Sequence, residues 1–109
     1  MKLSSREFDR AVERAIGRIP AEIRDRLDNI LISVQRRPSR QMSMTLGLDP
    51  DDAPFGIYTG VSLAERSEFS PPLYPDTIFI FQEPLEDACR SIAELEEEIE
   101  ITVVHEIAR

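Results

Sequence analysis

The chain has a single cysteine, Cys89, so no disulfide can form within it. It has a single histidine, His105, so no metal site can draw two imidazoles from these 109 residues. No apolar run approaches the roughly 20 residues of a membrane span. The start, "MKLSSREFDR", has no apolar stretch behind Lys2 and is not read as a secretory signal. Positive charge is scarce: 13 Lys and Arg stand against 21 Asp and Glu, a net charge of −8. An acidic surface repels phosphate backbones, which argues against a nucleic-acid partner. The nearest basic cluster, Arg36, Arg37 and Arg40 in "QRRPSR", lies beside a proline and reads as a solvated loop. With 109 residues, 41% of them hydrophobic, one core can be built, but not a second of independent stability. These absences lead to the expectation of one cytoplasmic domain over residues 1–109, with no membrane partner.

Ser4 and Glu7 have capping-box spacing, and Leu3 and Phe8 are placed for a hydrophobic staple around them. Phe8, Val12, Ala15, Ile16 and Ile19 follow at three- and four-residue steps and predict one apolar helix face. Gly17 and Pro20 punctuate its end, and Pro20 can open a short second helix, "PAEIRDRL", with Ile23 and Leu27 inward. "NILISVQ" is rich in β-branched residues and reads as a strand with Ile30, Ile32 and Val34 on one face. "DPDDAPFG" and "SPPLYP" read as loops. "GIYTGVSL" reads as an edge strand with a bend or bulge at Gly60. "TIFIFQ" is apolar on both faces, which predicts a central strand.

The last stretch, from Pro84 through "LEDACRSIAELEEEIEITVVHEIAR", predicts one long helix with Leu85, Ala88, Ile92, Leu95, Ile99 and Val103 on one stripe. Its glutamates, Glu94 and the run Glu96, Glu97 and Glu98, read as a solvated face. "ITVV" is apolar nearly all round, which predicts that His105, Glu106 and Arg109 are enclosed by protein. Together the elements predict an α+β domain: N-terminal helices, a small mixed β-sheet of three to four strands and a long C-terminal helix.

His105 and Glu106 admit two readings. Zinc hydrolysis on a helix uses His-Glu-x-x-His. Four residues turn the helix by about 40° and raise it about 6 Å, so both imidazoles reach one ion. The intervening Glu takes a proton from the bound water. Here Arg109 stands at the second position, and a guanidinium has no lone pair to give. Cys89, sixteen residues away on the same expected helix, lies about 24 Å off. In the plainer reading, Glu106 and Arg109 pair at i,i+3 spacing and His105 is a core histidine with one hydrogen bond.

Three stretches carry a resemblance: "IPAEIRDRLDNILISVQRRPS", "LGLDPDDAPFGIYTGVSLAER" and "YPDTIFIFQEPLEDACRSIAELEEEIEITVVHEIAR". They resemble the small bacterial zincin-like family, the minimal metallopeptidases, across nearly the whole chain. The resemblance implies a zincin-like fold with an active-site C-terminal helix. It implies zinc as cofactor, His105 as first metal ligand, Glu106 as catalytic base, and peptides as substrates of a hydrolase. Arg109 departs from the family's second ligand. Nothing here matches its glycine turn and third ligand, so the chain is expected to be a shortened form of a longer gene product, weak or inactive as written. The alternative is a non-catalytic peptide- or protein-binding module on the same fold. In either case "GIYTGVSL" is expected to border the cleft, where a peptide can add to a sheet edge.

Overall fold

The computed structural model describes residues 1–49, 51–59 and 76–108. Helix α1 runs Ser5–Gly17, α2 runs Ala21–Arg24, and a 3-10 turn over Asp25–Asn29 leads into strand β1, Ile30–Gln35. Then come α3 (Arg40–Leu46), β2 (Gly56–Thr59), β3 (Asp76–Phe81), α4 (Gln82–Ala88) and α5 (Ile92–Ile107). Gly60, the rest of "GIYTGVSL" and the loop "SPPLYP" lie outside the described residues, as does Arg109.

The capping box forms as its spacing predicts. The Glu7 N–H donates to Ser4 Oγ at 3.1 Å and the Ser4 N–H to Glu7 Oε1 at 3.0 Å. The apolar face beyond it buries Phe8, Ala11, Val12 and Ala15. Burying one such large side chain contributes roughly 1.5–3 kcal/mol. The chain before the helix is held down as well. The Leu3 N–H donates to Glu86 Oε2 at 2.8 Å, and Gln82 Nε2 donates to the Leu3 carbonyl at 3.0 Å.

The sheet is mixed and ordered β1-β3-β2. β1 is parallel to β3, with Ile30 opposite Asp76; β2 is antiparallel to it, with Tyr58 opposite Ile78. β3 is therefore the central strand that its double-sided apolar pattern predicts. Ile78 and Ile80 face one large cluster shared with Phe8, Val12, Leu95, Ile99 and Val103. Phe79 and Phe81 face the other way, against Met42 and Leu46 of α3. Helices thus cover both faces of the sheet.

Helix α3 was not expected from the residue pattern. Ser39 caps its start by accepting the Met42 N–H at 3.0 Å, and Gly47 closes it at φ 68°, a conformation that costs glycine little. Nor are Arg36 and Arg37 simply solvated: both pair with Glu83, at 3.4 and 3.1 Å.

The C-terminal region differs from the expected single helix. The chain is extended at Cys89 (φ −111°, ψ 148°), and Ser91 caps a new helix by accepting the Glu94 N–H at 3.1 Å. Ser91 and Glu94 have the spacing of a helix start, and here it marks one. Ala88 and Ile92, placed on the inward stripe by continuous counting, are both exposed. Cys89 is buried in the core, and that burial, first among its causes, pushes its thiol pKa up.

Candidate functional site

On α5 the buried residues are Leu95, Glu96, Ile99, Val103 and Glu106. This face fixes where every other side chain of the helix points. His105 lies one step off it and is exposed, and Ile101, further round, is 52% exposed. The expectation that the end of this helix is enclosed therefore fails on one side. The inward stripe meets α1 and the sheet, and nothing among the described residues covers the opposite side at Ile101 and His105. His105 is not a core histidine.

Glu106 is buried, with 5% of its surface exposed. Its Oε1 accepts the backbone N–H of Tyr58 on β2 at 2.9 Å. The direction of that N–H follows from the sheet. The Phe81 N–H donates to the Phe55 carbonyl at 2.9 Å. In an antiparallel pair the bonded positions alternate, so Ile57 and Thr59 also turn toward β3. Gly56 and Tyr58 turn their N–H groups away from β3, to the side of β2 that no described strand pairs. The edge-strand position of "GIYT" is as expected, but its outward group at Tyr58 is already taken by the helix.

Tyr58 is held at its other end too. Its hydroxyl donates a short hydrogen bond to Asp76 Oδ2, at the start of the neighbouring strand. The carboxylate accepting that proton, together with partial burial and the nearby negative charge, pushes the Tyr58 pKa up to about 12. Asp76 Oδ1 is buried with no hydrogen-bond partner among the described residues. Neither Tyr58 nor Asp76 was singled out in the sequence. Helical periodicity cannot reach them, and an aspartate opening a strand reads as a turn residue.

Glu96, at the other end of the inward face, was expected to be solvated. It is 7% exposed and lies between Arg14 of α1 and Arg18, the residue just past that helix. Arg14 Nε approaches Glu96 Oε2 at 2.7 Å and Arg18 Nη1 approaches Oε1 at 3.1 Å. Arg18 Nε also reaches Glu100 at 3.4 Å.

The donor set does not fit the zinc that the resemblance implies. Among the described residues no three His, Cys, Asp or Glu side chains are grouped to hold a metal ion. His105 supplies one imidazole on an exposed face, and the Glu106 carboxylate is bonded into the sheet. The expected Glu106–Arg109 pair involves a residue outside the described set. No described helix is long and apolar enough to cross a membrane.

A small mixed sheet with an antiparallel strand bonded to a C-terminal helix that carries His-Glu makes an α+β fold. A family model described as zincin-like metallopeptidase matches residues 27–109, and the chain belongs to that family. Helix α1 lies outside the matched range, although it supplies much of the core. No curated protein matches the chain.

Proposed function

We propose that this is a zincin-like metallopeptidase domain whose helix α5 places His105 at the first-ligand position and Glu106 at the general-base position. We propose further that this sequence binds zinc poorly and hydrolyses peptides weakly or not at all. The carrying observation is the donor set. His105 is the one imidazole in 109 residues, and Arg109 at the second-ligand position keeps its proton. Family membership supports peptides as the substrate class and zinc as the ancestral cofactor. A cytoplasmic location is part of the proposal, and the acidic balance supports the lack of a nucleic-acid partner.

The test compares the native chain, Arg109→His and His105→Ala, each purified without chelator. Zinc content and cleavage of a quenched-fluorescent peptide library are read for all three. The native chain should hold well under one equivalent of zinc and cleave nothing above background. Arg109→His restores two imidazoles at i,i+4 spacing and should raise zinc affinity at least tenfold. Stoichiometric zinc in the native chain, lost on His105→Ala and accompanied by cleavage, would overturn the proposal. A second reading, a non-catalytic peptide- or protein-binding module, is favoured over catalysis by the bond that occupies Glu106, and its partner would bind away from the β2 edge at Tyr58. It is recognised by peptides retained on the native chain without being cut.

A further inference from the structure

We infer that Glu106 acts in this chain as a clasp: its carboxylate ties the side of β2 away from β3 to helix α5 at Tyr58. The inference goes beyond the peptidase reading, because it holds whether or not the chain binds zinc.

The geometry has two points. Thr102 and Glu106 are one helical turn apart, about 6 Å along the axis. Gly56 and Tyr58 are two residues apart on β2, a similar span of about 6.6 Å. The two pairs meet. A Cβ built at Gly56 would stand 2.8 Å from Thr102 Cγ2, so at Gly56 only the Thr102 side chain separates helix from strand. One turn on, Glu106 Oε1 takes the Tyr58 N–H at 2.9 Å. The contact at Gly56 brings α5 close enough for a glutamate to reach the strand's backbone. Sequence pattern explains neither residue by itself: a strand glycine weakens the strand, and a buried glutamate is costly when unpaired.

The chemistry favours a fixed clasp over a waiting base. A buried carboxylate accepting a backbone N–H makes a charge-assisted bond. The part-buried N–H in turn gains a partner, and an amide left unpaired away from water is costly. The same N–H is the group that the carbonyl of an added peptide strand would take. While the clasp is closed, an extended peptide cannot use the edge at Tyr58. Glu106 therefore ties helix to strand here, and the cleft expected along this edge is shut at that point.

The test is amide hydrogen exchange read residue by residue by NMR on the full chain, for native, Glu106→Gln and Glu106→Ala. Glutamine keeps an oxygen that accepts the Tyr58 N–H, so its protection at Tyr58 should stay within about twofold of native. Alanine removes the acceptor, and the Tyr58 amide should exchange at least tenfold faster, while Ile78 and Ile80 on β3 change less. If alanine prevents folding, Glu106→Lys, which keeps a long side chain but has no acceptor, takes its place with the same expectation. Equal loss of protection in the glutamine and alanine variants would overturn the inference. Native-like protection at Tyr58 in alanine or lysine would do the same.

Discussion

Replacing Glu96 with alanine is expected to destabilise the domain by about 1–2 kcal/mol. The carboxylate end is desolvated, with a side-chain exposure of 9%, and it takes two charge-assisted contacts at 2.7 and 3.1 Å. Contacts of this kind are worth roughly 1.5–3 kcal/mol each when buried. The arginines, however, are 51% and 48% exposed, and solvent screens them. Surface ion pairs fall to about 0.2–1 kcal/mol. Placing each arm at about 0.5–1 kcal/mol gives the total. For a domain of this size that lowers Tm by about 5–10 °C. Glu97→Ala is the control. Glu97 is exposed and its loss relieves the same unit of net negative charge, so its effect should stay within about 0.5 kcal/mol. Thermal and urea unfolding of both variants, with Arg14→Ala and the Glu96→Ala/Arg14→Ala double variant, closes a cycle that isolates one arm. If Glu96→Ala melts with Glu97→Ala, or the coupling to Arg14 is zero, the bridge contributes nothing and the reasoning is wrong.

Gly56→Ala should cost about 1–3 kcal/mol, the range for a forced insertion into a packed interface. The added methyl meets the Phe79 carbonyl as well as Thr102, both at 2.8 Å. Thr102→Ala in the same chain should recover only part of the loss in urea unfolding; full recovery would mean that the Phe79 contact does not matter. Tyr58 should titrate near pH 12, visible in phenolate absorbance and assigned by its disappearance in Tyr58→Phe. Its folded pKa is raised, so the stability it lends is complete below the unfolded value of about 10 and fades as pH rises through about 12. Asp76→Asn should bring the titration back toward the ordinary tyrosine range, and an unchanged midpoint there would refute the pairing.

The parts of the fold legible in the sequence are those set by local rules. The capping box at Ser4 and the two-faced pattern of β3 each require a single structure, whatever surrounds them. Where the chain turns between elements, local pattern loses its hold. Ser91 and Glu94 carry a helix-start signature, yet the apolar residues on either side let one helix be counted straight through. That phase error carries Ala88 and Ile92 inward. A separate one follows from composition: "ITVV" is apolar on all sides, but the helix buries only the face that meets α1 and the sheet, so His105 comes out exposed. The glutamates show the opposite failure. Glu96 reads as solvated by composition, but by spacing it falls on the inward stripe with Glu106, whose enclosure was expected. Only the fold shows the arginines and the backbone N–H that make their burial tolerable. The family was legible because its residues extend through strand, loop and helix; the donor set was legible because histidine is counted, not folded.

The strand order β1-β3-β2 also bears on how the sheet is assembled. No two sequential strands are neighbours except β2 and β3, and even their nearest partners, Thr59 and Thr77, are separated by a long connection. β1 pairs with β3 across the whole interval from Ile30 to Asp76. During synthesis, β1 and β2 emerge before β3, the strand that each pairs with among the described residues. The sheet closes only when the central strand arrives, and loop closure across that interval must precede any reward from the pairing. Residues 76–81 thus act as the late keystone of a structure whose helices α1 and α3 can begin to form much earlier.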